Sequence, residues 1–166
     1  MTNNFPKMNF VGIDGILVQF SDEIRENANS AALAFRHEVE QKNQSSILES
    51  ANSLTAAYFR IDTKIKSLDS ILNFFNEMLR EKNWYTSKLP ADRKLFKIPC
   101  VFGTELAPQF EKVIKLAGIS RSQAILEFTT TRTRVMTIGF SPGQPYAGLI
   151  SKKWDLPRSV SYTHLT

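Results

Sequence analysis

The sequence is poor in the residues that build metal centres and disulfide frameworks. Its 166 residues include one cysteine, Cys100, and two histidines, His37 and His164. A single cysteine excludes an internal disulfide and a cysteine-based zinc site, and two histidines argue against a histidine-rich metal centre. Apolar runs such as residues 16–18 fall far short of the roughly 20 residues that span a bilayer, and no signal-peptide pattern opens the chain. We therefore expect a cytoplasmic protein with neither a metal site nor a membrane segment.

The rest of the composition is that of an ordinary globular protein, but its charge is unevenly placed. Hydrophobic residues make up 42% and charged residues 22%, enough to bury one core or two small ones. Residues 1–83 carry 9 basic and 11 acidic groups, whereas residues 84–166 carry 12 basic and 5 acidic groups. The change falls in a polar, proline-containing stretch that is typical of a linker. We expect a first domain over residues 1–88 and a second over residues 95–158.

A basic second half does not by itself indicate nucleic-acid binding. The sequence pI is about 9.4, and Lys152 and Lys153 form a basic pair. The basic half has no recognised nucleic-acid motif and no interleaved exposed aromatics. We therefore expect no nucleic-acid partner.

The first half has the pattern of a small α+β domain with the order ββαββα. Residues 10–13 and 15–20 predict two strands, and the Asp14-Gly15 pair between them predicts a hairpin. Ser21 predicts the start of a helix whose apolar stripe is formed by Ile24, Ala28, Ala31, Phe35 and Val39. Residues 46–50 and 54–61 predict two more strands, and Ser67 predicts the cap of a second helix. Both helices are expected on one face of an antiparallel sheet.

The second half contains further strands and two short helices. Residues 97–103 predict a strand, with Pro99 near its start. Pro108 and Gly118 suit the first turn and the end of a helix, and Ser120 with Gln123 forms a capping-box pattern for another. Residues 134–140 then predict a strand with alternating apolar positions.

A glycine- and proline-rich loop follows this strand. Its sequence Gly139-Phe140-Ser141-Pro142-Gly143 matches Gly-x-Ser-x-Gly, the pattern of a hydrolase nucleophile elbow. An elbow requires a helix directly after the serine, and the following prolines and glycine disfavour one. The remaining alternatives are a rigid loop that allows close backbone approach by a ligand or partner, and a plain turn.

Three stretches of the second half resemble the KipI-type family, whose members are also called B-type subunits of 5-oxoprolinase or allophanate hydrolase subunit 1. They are residues 98–103 (Ile-Pro-Cys-Val-Phe-Gly), residues 105–108 (Glu-Leu-Ala-Pro) and residues 134–148, which contain Gly-Phe-Ser-Pro-Gly-Gln-Pro-Tyr-Ala-Gly. Residues 15–24 are similar to a stretch of the family's first domain. The family's histidine at the end of the short helix is Phe128 here.

This resemblance implies a fold and an activity. The fold is a small ferredoxin-like α+β domain followed by the first part of a cyclophilin-like β-barrel. The activity is the opening of 5-oxoproline to glutamate with ATP, performed together with a homologous C-type subunit and an A-type subunit of 5-oxoprolinase. Some relatives instead inhibit a sporulation-type histidine kinase by binding alone, which is the alternative function.

The resemblance also selects candidate residues for contact with a substrate or partner, but no catalytic residue. Glu105 offers a carboxylate, Arg134 a cation suited to phosphate, and the loop offers hydroxyls and accessible backbone. The candidates are Glu105, Arg134, Gly139, Phe140, Ser141, Pro142, Gly143, Pro145 and Tyr146. Residues 159–166 have no counterpart in the family pattern, and we expect them to be a non-native tail on a C-terminally truncated chain.

Overall fold

The computed structural model describes residues 5–42, 44–91, 93–139, 142–148 and 150–156. Phe140, Ser141 and the tail over residues 159–166 lie outside these ranges. The chain divides into two compact units, the first within Met1–Lys94 and Met136–Pro145, the second within Leu95–Val135 and Tyr146–Thr166.

A four-stranded antiparallel sheet and two helices form the first unit. The strands are β1 (Lys7–Val11), β2 (Gly15–Gln19), β3 (Ile47–Ser53) and β4 (Ala56–Ile61), in the spatial order β1-β2-β4-β3. Helix α1 (Glu26–Gln41) joins β2 to β3, and α2 (Leu68–Glu81) follows β4. The predicted order ββαββα is confirmed.

Aromatic side chains fill the space between the helices and one face of the sheet. Phe35 of α1 is fully buried, and its ring centroid lies 5.8 Å from Phe20, 6.0 Å from Phe59 and 5.7 Å from Phe75. Trp84, in the short 3-10 helix Trp84–Thr86, lies 5.0 Å from the same ring. The tilted and edge-on arrangements are those that aromatic pairs prefer. Phe35 is therefore the centre of this core.

The first hairpin turns earlier than its sequence predicts. Val11 pairs with Gly15, so the turn consists of residues 12–14 rather than of the Asp14-Gly15 pair. Gly12 takes a positive φ of 66°, a conformation that costs glycine little. A Cβ at Gly15 would come within 2.4 Å of the Val11 carbonyl oxygen across the hairpin and within 2.8 Å of the Tyr58 ring. Its lack of a side chain therefore allows close packing at the end of the hairpin.

Helix α1 also begins later than predicted. It starts at Glu26 after Arg25, which makes no side-chain capping bond, so the predicted start at Ser21 is wrong. The Ser21 hydroxyl accepts the Glu23 amide proton, and the Ser21 carbonyl accepts the Thr55 hydroxyl proton at 2.8 Å. These local bonds hold Ser21 at the end of the sheet. Ile24 consequently lies outside the helix and is 69% exposed, whereas the other residues of the predicted stripe are buried.

Two capped helices form the core of the second unit. Helix α3 (Phe110–Ala117) begins two residues after Pro108, later than predicted, and ends at Gly118, whose φ is 67°. Helix α4 (Arg121–Thr130) begins after Ser120, whose hydroxyl accepts the Gln123 amide proton as predicted. Phe110, Ile114 and Ala124 are buried between them.

The prediction of a strand over residues 97–103 is wrong. In the described part of the chain this stretch pairs with no other strand, and without a backbone ladder an extended segment is not a strand. Leu95, Phe96, Ile98 and Val101 are exposed along it. The other predicted strand is shorter than expected: β5 (Val135–Ile138) forms a two-stranded sheet with β6 (Pro145–Ala147).

Replacing Phe35 with alanine is expected to lower the free energy of unfolding by about 3–5 kcal/mol, because it empties the centre of the aromatic core. Phe74→Ala is the matched control, since Phe74 is only partly buried at the edge of the same cluster. Urea denaturation followed by far-UV circular dichroism measures both. Equal losses in the two variants would contradict the central role of Phe35.

Candidate functional site

A tight turn carries most of the predicted loop residues. Residues 142 and 143 occupy the turn, and the Gly139 amide donates to the Gln144 carbonyl at 3.1 Å across it. Gly143 has a φ of 76°, which favours glycine. Strand β6 starts at Pro145, so no helix follows the turn, as its prolines predict. We use the name 139–145 turn for its described residues, which are Gly139 and residues 142–145; of the predicted residues it brings Gly139, Pro142, Gly143 and Pro145 together.

A buried asparagine that sequence reasoning missed connects this part of the chain to α1. Asn29 is 0% exposed, and its Nδ2 group donates to the Met136 carbonyl at 2.9 Å and to the Leu54 carbonyl. Met136 lies in β5, three residues before Gly139. The signal in the sequence was a polar residue between Ala28 and Ala31, on the apolar side of the predicted helix.

The other predicted residues that the structure describes, Glu105, Arg134 and Tyr146, belong to the second unit. The Gly148 amide donates to the Arg134 carbonyl at 2.9 Å, and Tyr146 is half-buried in β6. Glu105 is exposed in a separate turn, which the Ala107 amide closes on the Thr104 carbonyl at 2.8 Å. Of these candidates, Arg134 and Tyr146 thus belong to the strand pair of β5 and β6 and its edge, and Glu105 to a separate turn.

Arg121, also missed in the sequence, lies beside the glycine at position 103. Its guanidinium donates to the carbonyls of Phe102 and Gly103 at 3.4 and 3.2 Å and pairs with Glu111 at 2.8 Å. Gly103 has a φ of 70°, and a Cβ there would lie 1.9 Å from Arg121 Nη2. The glycine of the Ile-Pro-Cys-Val-Phe-Gly stretch is thus favoured by its positive φ, and Arg121 lies directly beside it.

Phe128, near the end of α4, packs beside Trp154, which is hydrogen-bonded to the carboxylate of Glu127. The Phe128 ring lies 4.5 Å from Trp154 and 5.9 Å from Phe102. Trp154 Nε1 donates to Glu127 at 2.9 Å, and Lys153 donates to the same carboxylate. The hydrogen bond from Lys153, followed by that from Trp154, lowers the pKa of Glu127.

Two clefts in the first unit are small for a cofactor. One measures about 220 Å³ and contains the carboxylates of Glu40 and Glu49; the other measures about 270 Å³ and contains Arg25 and Tyr85. Ligand pockets usually measure roughly 300–1,000 Å³. In the first cleft Glu40 is paired with Arg36 at 2.8 Å and Glu49 with Arg60 at 3.2 Å, and in the second the Arg25 guanidinium is engaged by Glu23 at 2.5 Å. Neither cleft fits a nucleoside triphosphate.

The described ranges contain neither a metal-type side-chain cluster nor a membrane-spanning helix. There, no three His, Cys, Asp or Glu side chains converge as a metal ion would require. None of the helices found in those ranges combines the length and the apolar character needed to cross a membrane.

Gly143→Ala is expected to open the 139–145 turn, because an L-residue at positive φ costs about 1–2 kcal/mol. The amide of residue 139 should then exchange with solvent roughly tenfold faster by NMR, since 1.4 kcal/mol corresponds to tenfold. Gly139→Ala is the control: its added Cβ meets nothing within 4 Å and its φ is not positive. Similar exchange rates in both variants would show that Gly143 is not required for the turn.

Acidification is expected to release Trp154 from Glu127. The pKa of Glu127 is lower in the folded protein, so its contribution to stability is complete above the unfolded-state pKa and is lost as the pH falls through the folded one. The Trp154 fluorescence, taken as the difference from a Trp154→Phe variant, should therefore change with a midpoint below the ordinary glutamate pKa. Glu127→Gln should abolish this transition and Glu105→Gln should keep it. A transition that survives in Glu127→Gln would contradict the assignment.

Known proteins similar to this chain share its fold and parts of its sequence. The chain is 26% identical over 158 residues to the B-type subunit of 5-oxoprolinase from Bacillus subtilis (strain 168), a match that covers 91% of this chain and 66% of that protein. Two crystal forms of the protein TTHA0988, in space groups P212121 and P6522, superpose with TM-scores of 0.64 and 0.65 at 22% and 20% identity. These cover 87% and 88% of this chain and 27% of TTHA0988. The chain thus spans less than two thirds of the length of these relatives.

The family assignment rests on a match along almost the whole chain. The family model described as "Carboxyltransferase domain, subdomain C and D" matches residues 6–163, which include both the sheet of the first unit and the 139–145 turn. The resemblance to the KipI-type proteins is confirmed, and the chain belongs to the family of carboxyltransferase domains, subdomains C and D.

Proposed function

We propose that this chain acts as one component of an ATP-dependent 5-oxoprolinase, which opens 5-oxoproline to glutamate together with an A-type subunit and a homologous C-type subunit. The observation that carries the proposal is the similarity to the B-type subunit of 5-oxoprolinase over 91% of the chain. The family match over residues 6–163 supports it. In this proposal the chain is inactive alone and works within the assembled complex, in the cytoplasm where ATP is present.

The role proposed for the 139–145 turn is contact with 5-oxoproline or with a partner subunit. Glycines at positions 139 and 143 leave the backbone open, since a Cβ at either would meet nothing within 4 Å. Pro142 and Pro145 restrict the backbone between them. Rigid backbone that a ligand can approach closely is suited to binding with little ordering cost. Phe140, Ser141, Glu105, Arg134 and Tyr146 remain candidates for the same contacts.

ATP is assigned in this proposal to another component of the complex. The two clefts of the first unit are too small for it, and one of them is lined by carboxylates. The contribution of this chain is then to bind and orient the substrate. A binding role without catalysis, as an inhibitor of a sporulation-type histidine kinase, is the alternative that the test below distinguishes.

We also propose the finer fold and its boundaries. The order β1-β2-β4-β3 places β4 between β2 and β3, the split βαβ arrangement of ferredoxin-like domains, and this supports a ferredoxin-like domain over residues 1–88. The sheet of β5 and β6 and the family match support a second domain over residues 95–158 that forms the first part of a cyclophilin-like barrel.

Reconstitution tests the proposed activity. Mixed with the A-type and C-type subunits of a 5-oxoprolinase, the chain should produce ATP hydrolysis that 5-oxoproline stimulates and that disappears when any component is omitted. The Bacillus subtilis B-type subunit, used in place of this chain, verifies that the other two preparations are active. If that control is active and this chain gives no stimulation, the enzyme proposal is wrong. Binding to a histidine kinase in that case would favour the inhibitor alternative.

A further inference from the structure

Asn29 is a fully buried polar side chain whose amide nitrogen donates to two backbone carbonyls. It lies in the first turn of α1, where it is 0% exposed. One N–H of Nδ2 points to the Leu54 carbonyl, in the turn between β3 and β4, and the other to the Met136 carbonyl at 2.9 Å. The side chain therefore joins three backbone segments, two of them 107 residues apart in the sequence.

The chemistry of the position singles out asparagine. A buried carbonyl that has no donor loses its hydrogen bonds to water and gains none in their place. The carbonyls of Leu54 and Met136 therefore each need an N–H or O–H group. A planar carboxamide supplies two N–H donors in a fixed relative orientation. An aspartate of the same shape has no donor when ionised, a serine has one, and an alanine has none. Two simultaneous bonds thus fix where Met136 lies relative to Leu54.

The Leu54 end of this bridge is rigidly held. Next to it, Thr55 accepts the Phe20 amide proton through its carbonyl at 2.8 Å and donates its hydroxyl proton to the Ser21 carbonyl at 2.8 Å. The turn between β3 and β4 is thereby fastened to the end of β2. Because Asn29 also donates to the Met136 carbonyl, it links this held turn to β5. Met136 lies three residues before the 139–145 turn.

We propose that Asn29 is a positioning residue for the 139–145 turn. Its hydrogen bond to Met136 fixes the position of β5 relative to α1. This in turn fixes the position of the turn, to which we propose that a partner or substrate binds. The binding role of the turn in this inference rests on the proposed function. The hydrogen-bond geometry is a property of this chain and does not depend on that function. Asn29 itself touches neither substrate nor partner.

Hydrogen exchange of the isolated chain tests the geometry. Asn29→Ala is compared with Val39→Ala, a matched control because Val39 is also fully buried in α1 and lies ten residues, roughly 15 Å, further along the helix. If Asn29 positions the turn, the amide of residue 139 exchanges about tenfold faster in Asn29→Ala than in Val39→Ala. Amides of α2 should change alike in both variants. Equal acceleration of residue 139 in both would overturn the inference and leave Asn29 a purely structural residue.

A milder variant covers the case in which Asn29→Ala fails to fold. Asn29→Ser keeps one donor and should give an intermediate exchange rate at residue 139; a rate equal to that of the unchanged chain would overturn the inference. In the reconstituted complex, Asn29→Ser should reduce 5-oxoproline-stimulated ATP hydrolysis more than Val39→Ala does. If the unchanged chain gives no 5-oxoproline-stimulated ATP hydrolysis, the proposed function is wrong. The hydrogen-exchange result tests the role of Asn29 independently of that outcome.

Discussion

The burial of one sheet face beneath two helices is the constraint on which the first unit depends. Each strand contributes alternate residues to that face, and Ile16, Val18, Phe59 and Ile61 meet the helices there with exposures of 1% or less. The Phe35 ring, in contact distance of four other aromatic rings, fills the space that these aliphatic side chains leave. The register of the strands follows from keeping this face away from water. Loss of register by one residue would turn the whole apolar set toward solvent.

The elements governed by local rules could be predicted from the sequence. The caps at Ser67 and Ser120 are confirmed because each hydroxyl needs only the amide three residues on. The positive φ of Gly118 is likewise a local matter. Local rules failed where distant groups compete for the same atoms. Ser21 resembles a cap, but its carbonyl is bound by Thr55 across the sheet, and Gly15 resembles a turn residue, but it makes room for the Tyr58 ring.

The candidate site likewise contains features set by local sequence and features set by distant contacts. The shape of the 139–145 turn follows from its own glycines and prolines, so the sequence sufficed to predict it. Asn29 and Arg121 act on backbone carbonyls far away in the sequence, 107 residues in one case and 18 in the other. A backbone carbonyl carries no residue-specific signature, and the sequence therefore contains no sign of which one a side chain will reach. The same reasoning explains why the contact of Arg121 with the Gly103 carbonyl was not visible in the sequence.

On the ribosome, the two hydrogen bonds of Asn29 cannot form at the same time. The turn containing Leu54 leaves the exit tunnel long before Met136 is synthesised, and at about 5–20 residues per second the interval lasts seconds. During that interval the sheet and α1 can pack while one buried N–H of the carboxamide lacks its final acceptor. The hydrogen bond that joins β5 to the first unit is therefore made to a side chain that α1 has already placed.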